Sequence, residues 1–220
     1  MILLANGKVI TRDPEGIGYL PDGGVVTDGG KIVEVGTTAD LKAKYPQAEF
    51  VDARGGVIMP GLINAHTHIY SALARGLSID GYNPTSFYEV LDGQWWYIDR
   101  HLTLDGTRAC AYATVLDCIR DGMTTIFDHH ASFGEIPGSL FAIKDVCREL
   151  GIRANLCYEV SERDGAEKCG QAIRENADFA RACEEAGITF IGPSSTILAQ
   201  MGDKLTAKAI AHACGVPTIP

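Results

Sequence analysis

Twice in this chain an amphipathic helical segment stops on a glycine and runs straight into a strand-like segment. Tyr112, Val115, Leu116 and Ile119 fall at i, i+3, i+4 and i+7, and Gly122 ends that stripe before Thr124-Thr-Ile-Phe-Asp128. Ile143, Val146, Cys147 and Leu150 repeat the scheme, Gly151 stops it, and Ile152-Arg-Ala-Asn-Leu-Cys-Tyr-Glu159 reads as the next strand. This alternation is the pattern of parallel βα units, because parallel neighbours need a crossover and cannot be joined by a tight turn. The periodic residues are therefore core candidates. A long helix over about 166–186 leads through Gly187 to a strand Ile188-Thr-Phe-Ile191, and a helix over about 203–214 with the segment Val216-Pro-Thr-Ile219 closes the chain. Four or five βα-type strands are expected, fewer than the eight of a closed barrel, which takes about 250 residues by itself.

Residues 1 to about 60 have a different rhythm. Met1-Ile-Leu-Leu4, Gly24-Val-Val-Thr27, Lys31-Ile-Val-Glu-Val35 and Gly56-Val-Ile-Met59 read as short strands, with Asp28-Gly-Gly30 supplying the positive-φ residues of a tight hairpin. A small β-sandwich is expected there. The fold class is then α/β: an N-terminal β-sandwich over 1–60, followed by an incomplete TIM-type (β/α) barrel.

At the start of the βα region, Val57-Ile-Met-Pro-Gly-Leu-Ile-Asn-Ala-His-Thr-His68 delivers two histidines to one strand end. Side chains at i and i+2 of a strand face the same way, so His66 and His68 present two imidazoles on one side. Neutral imidazole is the usual nitrogen ligand of zinc and related metals. A metal held there can bring the pKa of a bound water to about 7. Two half-exposed loop histidines are the plainer alternative.

The wording around the pair, Met59-Pro-Gly-Leu-Ile-Asn-Ala-His-Thr-His68, resembles the first-strand signature of the amidohydrolase superfamily. Asn64 to Leu77, Trp95-Trp96-Tyr-Ile-Asp99 and Asp128-His-His-Ala-Ser132 extend the likeness to the SsnA aminohydrolases, a chlorohydrolase/deaminase-like branch, over about residues 1–175. The resemblance implies that His66 and His68 bind the catalytic metal, zinc or alternatively iron, at the C-terminal mouth of a barrel. It implies hydrolysis of non-peptide C–N bonds in a small molecule, a nitrogen heterocycle or an amidine. It also implies further histidine ligands from the fifth and sixth strands and an aspartate from the eighth, none of which has a counterpart here. An inactive chain that holds metal weakly is the expectation, since catalytic zinc sites ordinarily use three protein ligands.

Past about Glu175 this likeness fails. Glu175-Asn-Ala-Asp-Phe-Ala-Arg-Ala-Cys-Glu-Glu-Ala-Gly-Ile-Thr-Phe-Ile-Gly-Pro-Ser-Ser195, Met201-Gly-Asp-Lys204 and Gly215-Val-Pro-Thr-Ile-Pro220 resemble instead the end of the N-terminal domain of a biotin carboxylase. That resemblance implies ATP contact by Lys204, a role without support from a glycine-rich loop or acidic metal ligands in this chain. A chimera or a truncated chain is one reading, and a natural amidohydrolase with a drifted fourth unit is another. A part of an ATP-dependent ligase and a non-catalytic interaction module are the competing functions.

Other residues are candidates for the site. His129 and His130 follow the second barrel-type strand, where such folds keep their chemistry. Being adjacent they point oppositely, so at most one faces the metal, as a catalytic or substrate-contacting group, while the other packs outward. Asn64 and Thr67 flank the ligands and either orient the imidazoles or cap the strand end. Trp95 and Trp96 read as packing anchors before pocket walls. Arg75 fits a substrate carboxylate or the surface, and His101 and His212 have no supporting context.

A net charge of −9 argues against binding nucleic-acid phosphates. Seven scattered cysteines without a Cys-x-x-Cys read as reduced thiols, no stretch reaches transmembrane length, and the cytoplasm is the expected location. The exposed edge of a half-barrel gives the chain a route to self-association.

Overall fold

A computed structural model of the 220-residue chain describes residues 1–16, 18–189, 191 and 204–216, without the side chains of Lys204 and Leu205. It divides into two compact units, Met1–Ile63 with Gly122–Thr124, and Asn64–Asp121 with Thr125–Pro220.

In the first unit, β1 (Ile2–Ile10) pairs antiparallel with β2 (Tyr19–Asp28), and β2 with β3 (Lys31–Thr37). The β2–β3 turn is Gly29-Gly30, with φ of +53° and +77°, left-handed positions that glycine takes without a Cβ penalty. Along β1 the side chains alternate, and Leu3, Ala5 and Val9 are buried. Leu3 and Ala5 cluster with Val26 and with Leu41 of α1 (Thr38–Lys44), a helix capped by Thr37, whose Oγ1 accepts the Asp40 N–H at 3.2 Å. Gly24 is needed at this contact, since a Cβ there would stand 2.5 Å from that of Ala5.

The described strands of the N-terminal β region join in one five-stranded sheet. The reason is parallel pairing: β4 (Glu49–Asp52) and β5 (Val57–Ile58) return alongside β1, so they extend its sheet, and α1 supplies the second layer.

The second sheet has the order β6 (Leu62–Thr67), β7 (Met123–His130), β8 (Arg153–Tyr158), with β7 and β8 parallel. Helices carry the chain between them: short α2 (Phe87–Val90) and α3 (Trp96–His101), then α4 (Leu104–Arg120) and α5 (Ser139–Leu150). Both glycine stops fall where periodicity puts them, Gly122 at φ +79° and Gly151 at +75°. Val115 and Cys118 of α4 and Ile143, Val146 and Cys147 of α5 are buried, as are alternate residues of β7, Ile126, Asp128 and His130. One face of the sheet is therefore covered by helices, while His66, His129 and Cys157 on the other remain exposed.

The long helix α6 (Ala166–Glu185) ties in through two side chains. Glu175 accepts the N–H groups of Gly138 and Leu140 at 2.7 and 2.9 Å, closing the start of α5, which has no capping side chain of its own. Asn176 bonds both the N–H and the carbonyl of Tyr158, at 2.9 Å each, and so seals the end of β8. Three strands stand among the described residues of this sheet. Of the fourth expected at 188–191, Ile188 and Thr189 carry no strand and Phe190 is outside the described residues, as is most of Val216–Ile219. The last described element is α7 (Lys204–Ala213).

Candidate metal centre

The β6 strand ends at Thr67, and a 3-10 turn, Ile69–Ala74, begins immediately beyond His68. That break leaves both imidazoles on the open face of the sheet. Their Nε2 atoms converge to 2.9 Å, within a few tenths of an ångström of the roughly 3.3 Å between two nitrogens bound to one tetrahedral zinc at 2.0–2.1 Å. His68 Nδ1 lies 3.0 Å from the carbonyl oxygen of His129. A carbonyl can only accept, so Nδ1 carries the proton and Nε2 keeps its lone pair for a metal or a neighbouring N–H. Two histidine nitrogens aimed at one point, one of them with its tautomer set from behind, fit a divalent cation. Among the described residues no group of three or more His, Cys, Asp or Glu side chains converges to hold a metal.

The pair opens on a cleft of about 410 Å³ lined also by Phe127, Asp128, His129, Asn155 and Cys157. His129 is exposed there, its ring centroid 5.7 Å from that of His68. His130 points to the helix-covered face, completely buried between the rings of Tyr70 and Tyr158, with centroids 6.4 and 5.7 Å away. It thus packs inward, because that face of β7 is roofed by helices. Sequence reasoning passed over Cys157 and Asn155. Cys157 sits opposite His129 in the parallel register, so the alternation that exposes one exposes the other.

Buried polar groups lie just under the cleft. Asp128 Oδ1 accepts the Ile69 N–H at 2.7 Å, and burial raises its carboxyl to about 7. Burial lowers His130 to about 3. The 3.9 Å between His130 Nδ1 and Asp128 Oδ2 is consequently an approach of two neutral groups near pH 6, longer than a hydrogen bond.

Of the flanking candidates, the Asn64 side chain accepts the His66 N–H at 3.3 Å. Thr67 Oγ1 is buried, with no hydrogen-bond partner among the described residues. Arg75 is engaged at the surface by Asp117 at 3.0 Å. Trp96 is a packing anchor against Tyr88 and the guanidinium of Arg163. That guanidinium also bonds buried Asp99 at 2.6 Å and Glu159 at 2.9 Å. His101 Nδ1 is taken up by the carbonyl of Tyr97. Lys204 opens α7, and Met201–Asp203 lie outside the described residues.

The sequence model of the Amidohydrolase family matches residues 57–213, and that of an imidazolonepropionase-like composite domain of bacteria matches residues 23–48. The 5'-deoxyadenosine deaminase of Methanococcoides burtonii is 32% identical over 82% of this chain and 38% of its own length. The 5-methylthioadenosine/S-adenosylhomocysteine deaminase of Syntrophobacter fumaroxidans is 38% identical over 58% of this chain and 28% of its own. A mutant atrazine chlorohydrolase of Arthrobacter aurescens, complexed with zinc and atraton, superposes with a TM-score of 0.60 at 29% identity, over 71% of this chain and 35% of that one. The guanine deaminase of E. coli, at 18% identity and a TM-score of 0.66, over 83% of this chain and 44% of its own, shares the fold. The chain spans about two fifths of the length of the curated deaminases it matches. A short segment of 48 residues is 56% identical to mitochondrial pyruvate carboxylase of Homo sapiens, covering 22% of this chain and 4% of that protein.

Proposed function

The chain belongs to the amidohydrolase family, and from that premise we propose that it carries the first metal-holding strand of a hydrolase of aminohydrolase or deaminase type, acting on non-peptide C–N bonds. The observation that supports this most directly is the convergence of His66 and His68 at 2.9 Å. Zinc is the metal we assign, with iron as the alternative, in line with the zinc of the atrazine chlorohydrolase complex. When bound, such a metal supplies Lewis acidity and a nucleophile at neutral pH.

The chain's own residues would do the following. His66 and His68 present their Nε2 lone pairs, and the His129 carbonyl holds the proton of His68 on Nδ1. The His129 ring, in the same cleft, is the candidate to move a proton or touch the substrate. His130 is too deeply enclosed to reach a substrate and has a supporting role in packing. The substrate class is a small nitrogen heterocycle or amidine, consistent with relatives named for adenosine-derived nucleosides and for atrazine. Nucleic acid is not a partner in this reading, given the charge of −9. No helix among the described residues is long and apolar enough to cross a membrane, and a cytoplasmic location remains our expectation from the seven unpaired cysteines.

The test is zinc loading of the purified chain followed by elemental analysis and deaminase assays. We expect one weakly held zinc, lost on dialysis against chelator, abolished in H66A and H68A, and no measurable turnover. No zinc uptake by the wild-type chain, or uptake by H66A and H68A equal to that of the wild type, would remove the metal reading, whereas tight stoichiometric zinc with turnover would show the site to be more complete than two ligands.

A second reading is favoured by the pyruvate carboxylase match alone. It makes the C-terminal segment a piece of an ATP-dependent carboxylase with Lys204 toward the nucleotide. Saturable ATP binding lost in K204A would support it.

A further inference from the structure

We propose that Asp128 is a positioning residue for the histidine pair: its side-chain Oδ1, standing on the neighbouring strand, caps the turn that starts directly after His68 and thereby fixes the direction of the His68 imidazole. The inference rests on the reading of His66 and His68 as metal ligands.

The argument begins with an orphan donor. A 3-10 turn leaves the first N–H groups without a partner inside the turn. Here the residue at the cap position is His68 itself, with φ −127° and ψ 82°, and its side chain caps nothing because it faces the cleft. Ile69, the first residue of the turn, is fully buried, so its N–H cannot turn to solvent. Asp128 Oδ1 takes that N–H at 2.7 Å, from 59 residues further along the chain. The carbonyl of the very next residue, His129, takes the Nδ1 proton of His68 at 3.0 Å. Two consecutive residues at the end of β7 thus hold the backbone on one side of His68 and its ring on the other.

Those two bonds restrict different freedoms. The Asp128 Oδ1 pins the peptide between His68 and Ile69, which sets ψ of His68. The carbonyl selects the tautomer and limits rotation of the ring. The turn is stabilised from within as well, since the His68 carbonyl accepts from Ser71 N and Oγ at 3.1 and 2.8 Å. Removing the Asp128 acceptor leaves a buried N–H that can be satisfied only if the peptide reorients, and reorientation carries the imidazole away from His66. An asparagine at 128 keeps the acceptor oxygen, and its amide nitrogen can approach His130 Nδ1, which stands 3.9 Å from Oδ2.

The experiment is a Co²⁺ titration of the full chain followed by visible absorption, run with amide exchange at Ile69 and ¹⁵N shifts of the His68 ring in metal-free protein. In D128A we expect Ile69 exchange to accelerate, the Nδ1-protonated signature of His68 to be lost, and Co²⁺ affinity to fall about 10- to 100-fold, the range found when groups supporting a ligand are removed. In D128N all three should stay near wild type. A folded D128A that keeps the His68 signature and the Co²⁺ affinity overturns the proposal, and so does a folded D128N that loses them. Should D128A not fold, D128N still decides between these outcomes. If the wild-type chain binds no Co²⁺, the metal reading fails by itself, and the Ile69 exchange and His68 shifts still test whether Asp128 positions the ring.

Discussion

Asp128 and His130 face each other across 3.9 Å with neither side chain exposed, and the shifts run in opposite directions. The carboxyl is raised from 3.8 to about 7 and the imidazole lowered from 6.5 to about 3, each chiefly by burial. For Asp128 the folded state holds its proton longer than the unfolded chain. Its contribution to stability is therefore complete below 3.8 and is lost as pH rises through about 7. His130 acts in the other sense, contributing fully above 6.5 and losing that contribution as pH falls toward 3. Between about 4 and 6.5 the two offset each other. Comparison with D128N isolates the carboxyl: the wild-type minus D128N stability should fall by roughly 1.4 kcal/mol per pH unit between 4 and 7 and level off above. Urea denaturation at a series of pH values measures it, and a difference that is flat across that range would contradict it. The alternation of side chains along a strand is enough to separate His129 from His130 in the bare sequence. The role of Asp128 is not legible there, because its partner is a backbone N–H 59 residues away.

At the scale of elements, α5 shows what sequence reveals and what it hides. Its apolar stripe and its glycine stop are local, and both are readable from residues 143 to 151. Its start is not: Gly138, at φ +89°, offers no side chain, and the capping carboxylate comes from the middle of α6. Replacing Glu175 by alanine should cost about 1–3 kcal/mol, the range for losing a cap and leaving buried donors unpaired. The loss should appear as a lower urea midpoint with unchanged slope, and an unaltered midpoint would show the two bonds to be dispensable. The N-terminal sheet has the same lesson. The β2–β3 hairpin is written in Asp28-Gly-Gly30, whereas the parallel pairing of β4 and β5 with β1 joins residues about 47 apart and leaves no local signal. The short helix α1 has seven residues, too few turns for an apolar stripe to show in the sequence.

At the scale of the whole molecule, one side of the sheet of the second unit and one groove stand uncovered among the described residues. The groove, about 790 Å³, runs between α5, α6 and β8 and is walled by Phe141, Leu156, Ile173 and Phe179. Ile173 and Ile188 are each more than half exposed, and β8 is the last strand in the order among the described residues. An apolar wall beside an unpaired strand edge favours association. Light scattering should show a mass that grows with protein concentration in the micromolar range, and a monomeric mass throughout would argue against an open edge.

The contacts of α6 have one more consequence, for how such a chain can arise. Ala172, Glu175, Asn176 and Phe179 make the bonds and packing contacts that join this helix to α5 and β8. All four precede residue 180. Three of them, Glu175, Asn176 and Phe179, lie at or beyond the point where the sequence likeness changes, so a segment joined there has to carry its own glutamate and asparagine in register to anchor the helix.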